Sequence, residues 1–184
     1  MWSPENLRRG FRLLVAFAIA GLVGGCFQPL YGDASVGGGD VAPKLASVQV
    51  APLDIPNGTR LARVGVELRN DLIFGLTGGG NAPAPTHRLD IKLSATQNQV
   101  IVDIETARPD VQNYGIDAVY TLTDLATGKK VVNSQTFARV SFDIPGQQQR
   151  FAGARGLRNA EDRAAKVIAD NIRSRLASYF VAGS

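Results

Sequence analysis

Apolar residues are spaced along this chain in three ways, and each spacing predicts a different element. Leu13 to Val23 is an unbroken apolar run without charge. Ser47 to Pro52, SVQVAP, alternates through Val48 and Val50 and predicts a short strand. Asp54 to Gly58, DIPNG, has the composition of a turn. From Thr59 to Leu76 the period changes to three and four. Leu61, Val64, Leu68 and Leu72 then fall on one helical face, with Arg60, Arg63, Glu67, Arg69 and Asp71 elsewhere around the helix. Thr59 or Asn57 can cap the start of that helix, and Gly78-Gly79-Gly80 ends it. Asn81 to Thr86, with Pro83 and Pro85, reads as an extended loop.

The second half begins with strands. Leu89, Ile91, Leu93 and Ala95 alternate on odd numbers, whereas Val100, Val102 and Ile104 alternate on even ones. Strand side chains change face at every residue, so the change of parity predicts a bulge between Thr96 and Gln99. Ala107 to Asp110 reads as a turn. Tyr114, Ile116, Ala118, Tyr120 and Leu122 predict a third strand. Asp124 to Lys129 is a tight hairpin with Gly128 in the left-handed position. Val131 to Phe142 is a fourth strand, with Val132, Ala138, Val140 and Phe142 on one side, and Pro145-Gly146 stops it. Gln147 to Gly156 is polar and fits either a loop or a first helical turn. Asn159 to Phe180 is a helix with the stripe Ala164, Ile168, Ile172, Leu176 and Tyr179. Its start resembles a capping box, Asn159 with Asp162. Arg163, Lys166, Arg173 and Arg175 keep its outer surface charged.

The order β-α-β-β-β-α predicts an α+β fold, with two helices packed on one face of a four-stranded mixed, mostly antiparallel sheet. The other face has no helix to cover it. That face must be largely polar, or something else must cover it.

The N-terminal run is too short to span a membrane, which needs roughly 20 apolar residues. Arg8, Arg9 and Arg12 precede it, and Gly24 and Gly25 follow it. A basic head, a short apolar stretch and a small-residue processing site make a secretory signal. Cys26 is the chain's single cysteine, so it has no partner for an internal disulfide. Val23-Gly24-Gly25-Cys26 resembles a bacterial lipobox. Such a precursor is cut before the cysteine, whose thiolate is the nucleophile that takes up a diacylglycerol group. Each buried lipid methylene contributes about 0.8 kcal/mol, so several acyl chains anchor a protein stably. Residues 1–25 are thus the signal peptide. Residues 26–43, with the glycine-rich DASVGGGD at Asp33 to Asp40, are a lipidated N-terminus and flexible tether. Residues 44–184 form one domain, facing an oxidising compartment where free thiols are avoided.

The net charge is +4 for the whole chain. Losing residues 1–25 removes three arginines and one glutamate, which leaves about +2. That is too mild to argue for nucleic acid, and an exported protein would rarely meet it. One histidine, four glutamates and no cysteine pair offer little for a metal site or a catalytic triad. His87 stands alone at a strand edge. Asp103 and Glu105 share a strand face, which alternation explains more simply than a catalytic carboxylate pair. No cofactor is expected beyond the covalent lipid on Cys26.

Three stretches carry a family resemblance: CFQPLYG at Cys26 to Gly32, TLTDLATGKKV in the hairpin, and NAEDRAAKVIADNIRSRLASYF at Asn159 to Phe180. Together they resemble the LptE family of outer-membrane lipopolysaccharide-assembly lipoproteins, in the form seen in alphaproteobacteria. The resemblance runs over essentially the whole chain and implies a non-enzymatic protein. It implies a plug inside an LptD-like β-barrel that helps the barrel assemble and helps move lipopolysaccharide to the outer leaflet. It implies lipopolysaccharide binding through basic residues near the tip of the sheet. By position these would be Arg108, in the turn between the second and third strands, and Arg150, after the last strand. Arg155 and Arg158 are further members of that cluster. A guanidinium presents donors suited to phosphate and carboxylate. Phe27, where some lipoproteins carry aspartate, favours the outer membrane over the inner.

Two other classes share these features. One is a different outer-membrane lipoprotein accessory, for barrel assembly or peptidoglycan binding. The other is a tethered enzyme. Both keep the lipid on Cys26, so the anchor is tested first. Cys26→Ala should abolish incorporation of radiolabelled palmitate and release the protein from the membrane fraction. Label entering the variant would remove the lipobox reading.

Overall fold

The computed structural model describes residues 41–102, 109–143 and 150–182. Along the chain these form α1 (Val41–Ala46), β1 (Val48–Val50), α2 (Arg60–Thr77), β2 (His87–Val102), β3 (Pro109–Asp124), β4 (Lys130–Asp143) and α3 (Arg150–Val181). The strands form one sheet in the order β1-β2-β3-β4. β1 and β2 are parallel, as the connection through α2 requires, and the other pairs are antiparallel.

The parity of the strands decides which face becomes the core. Leu89 pairs with Leu122, which pairs with Val132, and all three are buried. Tyr114, Ile116, Ala118 and Tyr120 share that face and are also buried. α2 lays Val64, Leu68, Leu72 and Leu76 onto it, and α3 adds Ala164, Ile168, Ile172 and Leu176. Alanine is frequent on the inner side of α3, at Ala160, Ala164, Ala165, Ala169 and Ala177, all buried. Short side chains let a helix backbone approach its neighbours closely, and the leucines of α2 fill the volume that remains.

Caps and turns follow local chemistry. The Thr59 hydroxyl accepts from the Ala62 N–H (3.1 Å), and Gly78 closes α2 in the left-handed conformation at φ 65°. In the β3–β4 hairpin the Asp124 carboxylate accepts from the N–H groups of Ala126 (2.8 Å) and Thr127 (2.9 Å). Gly128 supplies the positive φ, 68°.

Four details differ from the sequence reading. A third helix, α1, precedes β1 and buries Val41 and Leu45. It begins ahead of the boundary drawn between tether and domain at residue 44. The bulge in β2 exists, but the register slips between Gln99 and Val102, just past the expected segment. Thr96 to Gln99 are all polar and exposed, so parity alone did not locate the extra residue. Pro109 and Asp110 belong to β3 and not to a turn. Proline is tolerated as a first strand residue, where its missing N–H is least needed. Finally, α3 begins at Arg150, so Asn159 lies inside the helix and caps nothing. Asp162 is instead ion-paired with Arg63 at 2.8 Å.

Among the described residues no helix covers the opposite sheet face, which is mostly polar. Asp90, Lys92, Asp117, Thr121, Asn133, Gln135 and Arg139 point there, with Val119 and Phe137 among them. Gly115 also lies on this face. A Cβ there would stand 2.8 Å from the Arg139 Cδ, so glycine lets that side chain lie flat across β3. Arg139 donates to the carbonyls of Ile116 and Ala138 (both 3.0 Å) and to both oxygens of Asp117 (2.8 and 3.0 Å). Its guanidinium also sits 5.4 Å from the centre of the Phe137 ring.

Leu68→Ala should lower unfolding stability by about 2–5 kcal/mol in urea titration, because it opens a cavity between α2 and the sheet. Lys92→Ala, on the open face, should stay within about 0.5 kcal/mol of the parent. The hairpin adds a pH dependence. The Thr127 and Ala126 N–H bonds hold the Asp124 carboxyl below the usual carboxylate range, the Thr127 bond contributing most. A depressed folded pKa stabilises above the unfolded value and loses that contribution as pH falls. The stability advantage of the parent over Asp124→Asn should therefore be full above about pH 4 and shrink below it.

Candidate functional site

The topology gathers basic residues at one end of the sheet. β4 ends at Asp143, opposite Val111 of β3, where the β2–β3 pairing also closes. α3 starts beyond that point and runs the length of the sheet to Phe180, whose ring meets His87 at the start of β2 edge-on, 5.2 Å away. The first turns of α3 therefore lie at the end remote from His87. The start of α2 lies beside them. Arg63 of α2 donates to Asp162 at 2.8 Å and to Glu161, both on α3.

Between these two helix starts is a cleft of about 550 Å³. Gly58, Thr59, Arg60 and Arg63 line one side; Phe151, Arg155, Arg158 and Glu161 line the other. Arg63 is committed to its two carboxylates. Its pKa is raised, chiefly by the hydrogen bond to Asp162, although burial opposes this. Among the described residues Arg60, Arg155 and Arg158 make no ion pair. All three are exposed at the cleft. Phe151 stands at its mouth, 89% exposed.

Glu161 is the exception to this exposure. It is only 4% exposed, and while Oε2 takes the Arg63 bond, Oε1 is buried without a hydrogen-bond partner. Tyr114 of β3 lies within the field of the same charges. Burial pushes its phenol pKa up, Glu161 pushes it further, and Arg63 and Arg60 oppose both. Three unpaired guanidiniums in one concavity attract an anion, and their planar donor forks suit phosphate.

The sequence candidates fall out as follows. Arg155 lines the cleft, and so does Arg158. Arg150 is the first residue of α3. Arg108 lies outside the described residues, between Val102 and Pro109, which pair with each other. Cys26, Asp103 and Glu105 also lie outside them. His87 is far from the cleft; its Nδ1 is 2.8 Å from the Thr86 hydroxyl, and burial lowers its pKa against the pull of Asp124.

Arg60, Arg63 and Glu161 were not singled out from sequence. One signal was present. A helix N-terminus favours acidic residues, yet the first turn of α2 carries none and begins with arginine. No described helix is long and apolar enough to cross a membrane. Among the described residues no group of three or more His, Cys, Asp or Glu side chains could hold a metal ion.

Solved structures share the fold. A Caulobacter crescentus protein described as a lipoprotein superposes with a TM-score of 0.59 at 20% identity, covering 78% of this chain and 97% of its own. Rare lipoprotein B from Shewanella oneidensis gives 0.53 at 14% identity, covering 73% and 96%. Lipoprotein B from Nitrosomonas europaea gives 0.52 at 14% identity, covering 74% and 83%. No curated protein matches the chain. A model of the LptE family, described as lipopolysaccharide-assembly, matches residues 45–176, which is most of the chain and takes in β1 through nearly all of α3. By that match the chain belongs to the LptE lipopolysaccharide-assembly family.

Proposed function

We propose that this protein is an outer-membrane lipoprotein, anchored through Cys26 and facing the periplasm, that binds lipopolysaccharide at the arginine cleft. It would do so as the plug and assembly partner of an LptD-like β-barrel, seated in the barrel lumen while lipopolysaccharide is delivered to the outer leaflet. The observation that carries the binding role is the cleft itself: Arg60, Arg155 and Arg158 converge there without carboxylate partners, in a member of a lipopolysaccharide-assembly family. Lipopolysaccharide brings phosphates for the guanidiniums and acyl chains for an exposed aromatic such as Phe151. Arg150 begins the same helix as Arg155 and Arg158, and Arg108 directly precedes the first residue of β3 in sequence, so both are candidates for the same ligand.

The barrel role draws on the open sheet face. Val119 and Phe137 are 49% and 66% exposed there, within a field of polar side chains. Apolar groups among polar ones form a surface suited to a mostly polar partner wall. The cleft gathers guanidiniums suited to holding an anion, and the reading is one of binding and assembly.

Binding is tested by titrating lipopolysaccharide into the full lipidated protein in detergent. Substituting Arg60, Arg155 and Arg158 together by Gln should weaken binding about tenfold or more, with the unfolding midpoint unchanged, since all three are exposed and unpaired. Unchanged affinity would remove the cleft from the site. Separate Arg108→Gln and Arg150→Gln variants should each give a smaller loss. Photo-crosslinkers at Val119 and Phe137 should capture a large β-barrel protein in cells. Capture of peptidoglycan or of no outer-membrane protein would count against the plug.

A further inference from the structure

A cleft meant only for a phosphate would do better without a carboxylate in its wall, yet Glu161 is there. It is nearly fully buried, and one of its two oxygens has no donor. A carboxylate only accepts hydrogen bonds, and leaving such an acceptor buried and unmet is unfavourable. The nearby cations do not relieve it. Arg63 is already divided between Glu161 Oε2 and Asp162, and Arg60, Arg155 and Arg158 make no ion pair although they line the same cavity. The cleft thus presents two unmet demands side by side: three guanidiniums lacking an anion, and one enclosed oxygen lacking a donor.

We propose that Glu161 is the specificity-determining residue of the cleft, accepting a hydrogen bond from a hydroxyl or ammonium carried beside the phosphate of a phosphorylated sugar. The inference rests on the binding role proposed above and names what that site reads. A plain phosphate, pyrophosphate or phosphodiester answers the arginines but brings no hydroxyl or ammonium beside the phosphate for the enclosed oxygen. A phosphorylated amino sugar answers both demands at once. Oε1 is closed to a solvent-sized group as the structure stands, so the hydroxyl or ammonium reaches it as the exposed side chains of the cleft rearrange around the ligand. Phe151 and Leu157 add an apolar wall against which the flat C–H face of a sugar ring can rest. A site with a committed polar group discriminates strongly against ligands that leave the group unpaired.

The test uses the full lipidated protein in detergent, preloaded with fluorescent lipopolysaccharide. Two competitors displace it: the bisphosphorylated glucosamine disaccharide left by complete deacylation, and inorganic pyrophosphate. The parent protein should favour the disaccharide by about tenfold or more. Glu161→Gln should bring the two competitors to within about twofold, with pyrophosphate competing as well as before or better. One end of its amide is an NH2 donor, so either Arg63 or the ligand's donor then faces a group that cannot accept. Asp162→Asn takes a partner from Arg63 without touching the enclosed oxygen, and should keep the preference.

Equal competition in the parent, a preference that survives Glu161→Gln, or the same loss in Asp162→Asn would each overturn the role of Glu161. The last outcome would mean that the helix pairing, or an ordered water alone, explains the residue. None of these touches lipopolysaccharide binding by the arginines. If instead the triple arginine variant binds lipopolysaccharide normally, the cleft is not the site and both proposals fall.

Discussion

A four-stranded sheet has two faces, and the described residues carry enough long helix to cover one. Everything else in the fold answers to that shortage. Register must put most of the large apolar strand residues on the covered side, and it does so across three strands, from Leu89 through Leu122 to Val132, with Val119 and Phe137 left on the other. The two long helices must lie side by side on that surface. The alanines of α3 make the close approach possible, and the leucines of α2 fill the seam. What is left over, the second face, is crossed by polar contacts such as the fork of Arg139 on Asp117.

The same shortage shapes the cleft. Where the helices overlie the sheet they bury hydrocarbon, but α3 starts well before its first buried alanine, Ala160. That opening length sets only Leu157 against the core. It leans toward the start of α2, and the meeting is made by charge: one arginine serves two carboxylates across the gap. Part-buried pairing of this kind fixes the relative position of two helices more than it stabilises them. The remaining guanidiniums are then held in place by their helices, with their donors free.

Much of the architecture was legible because it is periodic. The stripes Val64-Leu68-Leu72 and Ile168-Ile172-Leu176, the even-numbered run from Tyr114 to Leu122, the Thr59 cap and the Gly128 turn are local patterns with local causes. The failures have local causes too. α1 has six residues, too few to display a helical period. Residues 150–158 lack an apolar stripe, so Asn159 looked like the beginning of a helix already under way. The cleft was half visible: Arg155 and Arg158 belong to one surface of one helix. Arg63 and Glu161 are 98 positions apart, and no periodicity connects residues that only tertiary folding brings together.

α1 is short, but its location carries weight. Val41 and Leu45 are 2% and 3% exposed, wedged where both long helices reach them, and Ser47 just beyond is hydrogen-bonded to Thr86 beside the first residue of β2. The described fold therefore begins at its interior and at the end remote from the cleft. Tension arriving along the backbone at residue 41 would be borne by interlocked hydrocarbon and not by a fraying rim, so the domain can be towed from that point without being unravelled by it.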